Sequence, residues 1–445
     1  MRILLVGINY APDLIGVAKY NAELCEGLAS FGHDVRVVTA PPYYPEWHIP
    51  HDYRSWLYRN ETINGISVTR APIYVPDKPT GTKRLLHHAS FALTSLWPVL
   101  SSATRWRPDV VFSVAPSLMS AAFSAWIARR IGALSWLHLQ DFEIDAAFDL
   151  GLLANKRLRA PMVAVERKIL RSFDYVSTIS PQMMERLAAK GVDEERTKEV
   201  RNWTDIHKIA SGKMNPHFRK DQLDLDKRHF VCLYSGTMSN KQGLDLIVDA
   251  ARALDNPDSN IRFVLCGEGP HKTWLERLAS GLTNVQFLGL QHGESFAELL
   301  HAADVHLIPQ KAEAADLVLP SKLGGILASG KPVIVMARQG TGLAEEVEKA
   351  GIVVAPGNTE RLTAAICALA NDPALCTSFG EVARRTAILK WDRATILREL
   401  EQLLLTCHNG TKTVSRRPSL DSAVAATAVD AIALREHRRN SNRAS

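Results

Sequence analysis

The sequence predicts an α/β protein built from two Rossmann-like parallel-sheet domains that face each other across a cleft. Three observations predict it. The 445 residues suffice for two or three domains of ordinary size. Short apolar runs alternate with helical stretches from the first residue, and strands joined through helices pair in parallel. The alternation stops at a polar stretch, 208–228, and then starts again.

Residues 2–9 read as a buried strand. Residues 17–31 read as a helix with an apolar stripe at Val17, Tyr20, Leu24 and Leu28, and Gly32 ends it. Residues 35–39 form the second strand. The stretch 41–79 is rich in Pro and Tyr and reads as an irregular insertion over the sheet edge. Strands follow at 110–114, 134–139 and 175–179, and helices at 162–171 and 181–190. The apolar span 85–103 is flanked by Lys83, Arg84, Arg105 and Arg107, with Trp97 and Trp106 nearby. It fits either an interfacial, membrane-contacting face or a buried helix of the first domain. Past the polar stretch, strands at 230–236, 261–267, 285–288, 305–308 and 332–335 alternate with helices at 243–253, 273–282, 294–302 and 321–329. Leucines at helical spacing over 392–406 make a last helix. The division expected is a domain over 1–207, a linker over 208–228, a second domain over 229–390, a closing helix over 391–407 and a disordered tail over 408–445.

Hydrophobic residues make up 46% of the chain and charged residues 22%, an ordinary balance for a globular protein. The net charge of +6 is concentrated at the end. Residues 411–445 carry seven Lys or Arg against three acids. The remainder is near neutral, which argues against a nucleic-acid partner. The tail reads as a solvated end or as a contact with an anionic membrane. Six scattered cysteines form no CxxC pair, so neither a zinc site nor a disulfide framework is expected, and a reducing cytoplasmic compartment fits. The opening residues are too soon interrupted for a secretory signal, and no run of about 20 apolar residues is present.

In open α/β sheets, ligands bind beyond the carboxyl ends of the strands, so the loops there are the candidate sites. The first loop ends at Gly16, where a missing Cβ and a helix amino terminus would admit a diphosphate or a sugar; a plain tight turn explains the same residues. No GxGxxG fingerprint occurs there, which weakens a hydride-transfer reading. A second loop, Gly267-Glu268-Gly269-Pro270, suits close approach of a nucleotide or an ordinary turn. In a third, Pro320 fixes the backbone, Ser321 offers an N-cap, and Lys322 adds a cation beside the helix; a capped surface helix is the plain alternative. Gly236 and Lys241 follow another strand, where the lysine can reach the same cleft or simply be a solvated loop residue. At the first domain's edge, Gln140-Asp141-Phe142-Glu143-Ile144-Asp145 is a polar cluster in which Asp141 could orient a hydroxyl, with Glu143 and Asp145 as helix-start acids.

In order, these segments resemble the retaining glycosyltransferases of family 4. The likeness rests on Ala11-Pro12-Asp13-Leu14-Ile15-Gly16, Thr178-Ile179-Ser180, Val200-Arg201-Asn202-Trp203, Leu233-Tyr234-Ser235-Gly236, Leu265-Cys266-Gly267-Glu268-Gly269-Pro270, Ala302-Ala303-Asp304-Val305 and Ala328-Ser329-Gly330-Lys331-Pro332. Residues 137–148 and 318–323 carry a narrower similarity to colanic-acid-type exopolysaccharide transferases. The resemblance implies the GT-B fold, retention of anomeric configuration, no required metal or cofactor, and a GDP-sugar donor such as GDP-fucose. It also implies a growing oligosaccharide on a polyprenyl diphosphate as acceptor. Asp141, Lys241 and Lys322 would then carry the chemistry, and Gly16, Gly236, Gly267, Gly269, Leu290, Pro320 and Ser321 would line the donor site. Three departures stand out. The family's glutamate pair falls on Leu317 and Gly325, its His-Asp pair on Gln140-Asp141, and its diphosphate-loop arginine on Thr237. A sugar-nucleotide 2-epimerase shares the architecture, and a non-catalytic scaffold in polysaccharide assembly would tolerate the missing glutamates.

Overall fold

The structure is a computed structural model and describes residues 1–13, 16–149, 157, 159–210, 218–291, 293–310 and 319–415. The first half contains β1 (Arg2–Gly7), α1 (Val17–Ser30), β2 (Asp34–Thr39), β3 (Arg59–Ile63), β4 (Ile66–Arg70), α2 (Gly81–Arg105), β5 (Val110–Ala115) and α3 (Leu118–Ile131). It continues with β6 (Leu134–Leu139), α4 (Glu143–Asp149), α5 (Arg159–Leu170), β7 (Tyr175–Thr178), α6 (Pro181–Ala189) and β8 (Thr197–Glu199). Its eight strands lie in the order β3-β4-β2-β1-β5-β6-β7-β8, all parallel except the edge strand β3. Every residue of β5 and β6 is buried, as expected of central parallel strands covered on both faces.

Side chains alternate across β1. Leu4 and Val6 pack with Val99, Ala103 and Ile127 under α2 and α3, whereas Ile3 and Leu5 pack with Leu24 and Leu28 of α1. The insertion expected to be irregular over 41–79 instead holds the hairpin β3–β4, turned at Asn64-Gly65 with φ of 49° and 80°. Asn-Gly is the pair that a two-residue hairpin turn requires, because both positions need positive φ.

Between the halves lie α7 (Ile206–Ala210) and α8 (Phe218–Leu223). The expected linker over 208–228 is therefore partly core: Ile209, Phe218, Leu223 and Leu225 join the apolar cluster of the second domain. The second half runs β9 (Phe230–Ser235), α9 (Asp245–Ala253), β10 (Ile261–Cys266), α10 (Lys272–Leu278), β11 (Val285–Leu288), α11 (Gly293–Ala302) and β12 (Val305–Ile308). Then come α12 (Leu323–Ala328), β13 (Val333–Met336), α13 (Gly342–Val347), β14 (Gly351–Val354), α14 (Thr359–Asn371), α15 (Pro373–Lys390) and α16 (Arg393–Ser415). Its six strands are parallel, in the order β11-β10-β9-β12-β13-β14.

The last helix runs to Ser415, past its expected end at Cys407; the rest of the expected tail lies outside the described residues. It returns to the first domain, where Ile396, Leu397, Leu400 and Leu404 join the core formed by Ile3, Leu24 and Trp203. The chain thus crosses between domains twice, and the crossings are joined: Thr204 N donates to Trp391 O (2.7 Å) and Arg393 N to Thr204 O (3.1 Å). Glu346 fastens this junction. Its carboxylate accepts from Trp391 Nε1 (2.9 Å), Arg201 Nη1 (3.1 Å) and Lys390 Nζ (3.2 Å) while buried. Burial alone would raise its pKa. Arg201 outweighs burial, with Trp391 and Lys390, and the carboxyl sits below its ordinary range. Its contribution is therefore complete above the unfolded-chain pKa of 4.5 and is lost as pH falls through the lower folded value. Glu346→Ala should cost about 3 kcal/mol in urea unfolding at pH 7, because it strands Arg201. The gap between variant and wild type should narrow on acidification below pH 4.5; an equal gap at both pH values would remove the ion pair from this account.

Candidate active site

The two carboxyl edges face each other. Gln182, at the start of α6 just beyond β7, donates to Glu345 Oε2 (3.3 Å) on α13, just beyond β13. In each sheet the strand order reverses once, between β1 and β5 and between β9 and β12. At such a point successive loops leave in opposite directions and open a crevice.

On the second sheet, the loop after β9 and the segment entering α12 flank the reversal. Lys322 occupies the N-cap position of α12. Its Nζ lies 4.0 Å from the centre of the Tyr234 ring, and Tyr234 is itself held by its hydroxyl donating to Thr237 O (2.7 Å). Gly236, with φ of 142°, leaves room for the lysine: a Cβ there would lie 3.3 Å from Nζ. Burial lowers the Lys322 pKa to about 7, with no carboxylate among the described residues to hold it charged. The side chain expected to cap this helix does not do so. Ser321 lies exposed in the preceding turn, whose hydrogen bond runs from Leu323 N to Pro320 O (2.9 Å), and no side chain closes the cap.

Gly267 and Gly269 have φ of 147° and 155°. Their open faces are taken by the neighbouring loop: a Cβ at Gly267 would collide with Gly236 O, and one at Gly269 with Met238 O. The two loops are stitched by Gly236 N to Cys266 O (2.9 Å), Met238 N to Glu268 O (2.9 Å) and His271 N to Met238 O (3.0 Å). The glycine pair thus answers first to the approach of one loop on another, and through it seats Gly236 against Lys322. Leu290 is exposed just beyond β11. The backbone of Lys241 lies in a short turn, Asn240–Gln242, and its side chain falls outside the described residues, as does Leu317. Gly325 faces inward, where a Cβ would meet Ile209 and Leu300 at 3.5 and 3.7 Å. A glutamate at that position would start against apolar side chains.

On the first sheet, Gly16 begins α1 with φ of 61°, is exposed, and has open space where a Cβ would stand. Its loop is pinned from beneath by Arg70, which is fully buried, pairs with Glu61, and donates to Ala40 O (2.8 Å) and Ala11 O (2.5 Å). Within that loop the structure singles out Asp13, a residue to which the sequence assigns no role of its own. Burial raises its pKa to about 6 against hydrogen bonds from the Tyr44 and Tyr43 amides, and its Oδ2 is buried without a partner. A proline-flanked aspartate in a loop gives no sequence signal of such burial.

Gln140 is not free to meet a substrate. Its amide donates to Asn202 Oδ1 (2.9 Å) and His138 Nε2 (3.0 Å), Asn202 donates back (2.9 Å), and His138 pairs with Ser177 (2.9 Å). Asp141 stands exposed beside this network, bonded to the Phe142 amide (2.7 Å). Glu143 and Asp145 do start α4, and Glu143 also accepts from the Ser117 and Leu118 amides (2.5 and 3.1 Å) at the start of α3. Burial lifts the Glu143 carboxyl to about 7. Trp106, grouped above with an interfacial face, is buried: its indole donates to Asp34 (2.9 Å) and Arg36 stacks on it.

The structure thus gathers Gly236, Gly267, Gly269 and Lys322 into one seat on the second domain, and it sets Gly16, Asp13 and Asp141 on the edge that faces it. A partly desolvated cation opposite an acidic edge suits an anionic group held on one side and hydroxyls on the other. Residues 16–203 match the glycosyl transferase 4-like domain, and residues 229–372 match the glycosyl transferases group 1 domain. The chain is 39% identical over 410 residues to a protein named as a colanic acid biosynthesis glycosyl transferase, WcaI, of Escherichia coli (strain K12), covering 90% of this chain and 98% of the relative. Among solved structures it resembles sucrose-phosphate synthase from Thermosynechococcus elongatus (TM-score 0.69, 18% identity, 92% of this chain and 100% of the other). It also resembles Anabaena HepE in complex with UDP-glucose (TM-score 0.64, 18% identity, 91% and 100%). Two parallel sheets meeting at their carboxyl edges, matched along both halves by these families, make the chain a GT-B glycosyltransferase that belongs to the glycosyl transferase 4-like and group 1 families.

Proposed function

We propose that this glycosyltransferase moves a sugar, fucose from GDP-fucose, onto a polyprenyl-diphosphate-linked oligosaccharide during assembly of a colanic-acid-type exopolysaccharide, with retention at the anomeric carbon. The reading is supported by the similarity to WcaI along nearly the whole chain. The observation that carries it is Lys322, a half-buried residue whose amine sits between Gly236 and the Tyr234 ring at the strand reversal of the second sheet. As the bond from sugar to diphosphate breaks, negative charge grows on the leaving group. A protonated Lys322 fixed beside it needs no rearrangement to meet that charge. Lys241 and the amides near Pro320 and Ser321 would share the diphosphate, Leu290 and the loop of Gly267 and Gly269 the nucleoside, and Gly16 the approach from the other side. Asp13 and Asp141 orient acceptor hydroxyls. The donor is a substrate, and neither metal nor cofactor is invoked. A lipid-linked acceptor sets the work at the cytoplasmic face of the plasma membrane.

A thermal-shift screen with GDP-, UDP- and TDP-sugars tests the donor. The expected result is stabilisation by the GDP-sugars, abolished in Lys322→Ala. Transfer of labelled sugar to polyprenyl-diphosphate glycans then tests the reaction. Free nucleotide should appear only when acceptor is present. Sugar-nucleotide turnover without acceptor would favour an epimerase, and binding without any turnover would favour a scaffold.

A further inference from the structure

Helices α2, α3 and α5 form one layer on the first sheet, and the outer surface of that layer is unlike the rest of the protein. Helix α3 carries apolar bulk on both faces. Its buried positions are mostly small, Ser120, Ala121, Ser124, Ala125 and Ala128, with Leu118 and Ile127 among them. Three further large side chains, Met119, Phe123 and Trp126, lie at helical spacing on the solvent side, and Trp126 is 51% exposed. Helix α2 adds Leu86, Leu93 and Trp97 along its own outer stripe, the last two 69% and 63% exposed. The loop before β3 lies against α2, tied by Tyr58 donating to Thr94 O (2.9 Å), and exposes Trp56 and Leu57. A contiguous apolar face of this kind marks an interaction surface rather than the scatter usual on a monomer.

The exposed charge on these three helices has one sign. Helices α2 and α3 contain no acidic residue. Lys83 and Arg84 open α2 and Arg105 ends it, while Arg129 and Arg130 end α3, with Arg130 stacked on Trp126 (4.8 Å). Beyond Arg129 an open groove of about 970 Å³ runs between α3 and α5, lined by Arg129, Arg159, Arg167, Lys168 and Arg171 and, among the described residues, by no carboxylate. The one acid of α5, Glu166, is buried against Lys190 (2.5 Å). Tryptophans rimmed by cations match a bilayer surface: the rings suit the headgroup boundary, and the cations suit acidic lipids.

We propose that the outer face of α2, α3 and α5 docks the enzyme on a bilayer containing acidic lipids. Leu93, Trp97, Phe123 and Trp126 enter the headgroup boundary, and the Arg129–Arg167–Lys168 groove takes lipid phosphates. Helix α3 begins at the carboxyl end of β5, so the docked face leads to the rim of the cleft. The surface itself carries this inference, independently of which sugar is transferred.

The test is co-sedimentation of the full chain with phosphatidylcholine vesicles, with and without phosphatidylglycerol. Binding should be at least about tenfold stronger to the acidic vesicles and should be released by high salt. The variants W97S/W126S and R129E/R167E/K168E should each lower it by roughly tenfold or more while leaving far-UV circular dichroism unchanged, since these side chains point outward. Three results would overturn the proposal. One is equal binding to neutral and acidic vesicles. Another is acidic-vesicle binding that survives both variants, which would assign it to the basic tail. The third is a dimer in sedimentation velocity that W97S/W126S dissolves, which would make the face a contact between two copies.

Discussion

Lys322→Met is expected to lower turnover by roughly 10²–10³-fold while leaving the protein as stable as before or more so. The two effects come from one cause. The amine is desolvated against the Tyr234 ring and Gly236, which holds its pKa near 7 instead of 10.5. Between those two values the unfolded chain carries a proton that the folded chain lacks, so wild-type stability rises with pH across that window. Methionine fills the same space without a charge. The variant should therefore gain most over wild type at pH 6 and show no pH dependence from this position. Ligand binding should show the opposite sign. A diphosphate favours the protonated amine, so binding above pH 7 takes up a proton, and affinity weakens by up to about tenfold per pH unit until the bound-state pKa is reached. Calorimetry at pH 8 in two buffers of different ionisation enthalpy reads that proton directly. Full activity in the methionine variant, or nucleotide binding without proton uptake, would separate Lys322 from the leaving group.

Much of this site could be read from the sequence, because its position follows from topology. Strands that alternate with helices form parallel sheets, and parallel sheets gather their loops at one edge. Gly236, Gly267, Lys322 and Asp141 all follow strands of these sheets, so topology alone assigns them to that edge. What escaped were features set by packing at a distance. The stretch before α2 looked irregular because its prolines and tyrosines masked the Asn64-Gly65 turn, which is itself an ordinary hairpin signal. The return of α16 to the first domain leaves no local mark, since Leu397 and Leu400 would look the same against either core. Ser321 has the right residue type for a cap, yet the helix begins at Leu323, two residues after the expected start, and Lys322 takes the cap position. The outward aromatics of α3 escaped for a related reason. Its inner face mixes Leu118 and Ile127 with small residues, so apolar bulk lies on both faces and hydrophobicity does not mark the outer one.

Gly267→Ala should be strongly damaging for a single added methyl, costing about 3 kcal/mol or more and weakening nucleotide affinity at least about tenfold. Two penalties combine. At φ of 147° an alanine adopts a conformation that L-residues rarely occupy, and its Cβ would also sit inside the carbonyl oxygen of Gly236. That oxygen belongs to backbone, so it cannot swing aside as a flexible side chain would. To relieve the collision the loop over 236–238 must retreat, and the same loop carries the glycine on which Lys322 rests. Gly281→Ala supplies the comparison. Its φ is 86°, but nothing lies within 4 Å of the added methyl, so it should cost only the strain, about 1 kcal/mol. Urea unfolding of the two variants isolates the collision, and thermal shift with a nucleotide-sugar reports whether the lysine has lost its seat. If Gly267→Ala matched Gly281→Ala in both measurements, the loops would be free to part. The glycine pair would then have to be explained by what binds between the domains rather than by what packs beneath the binding site.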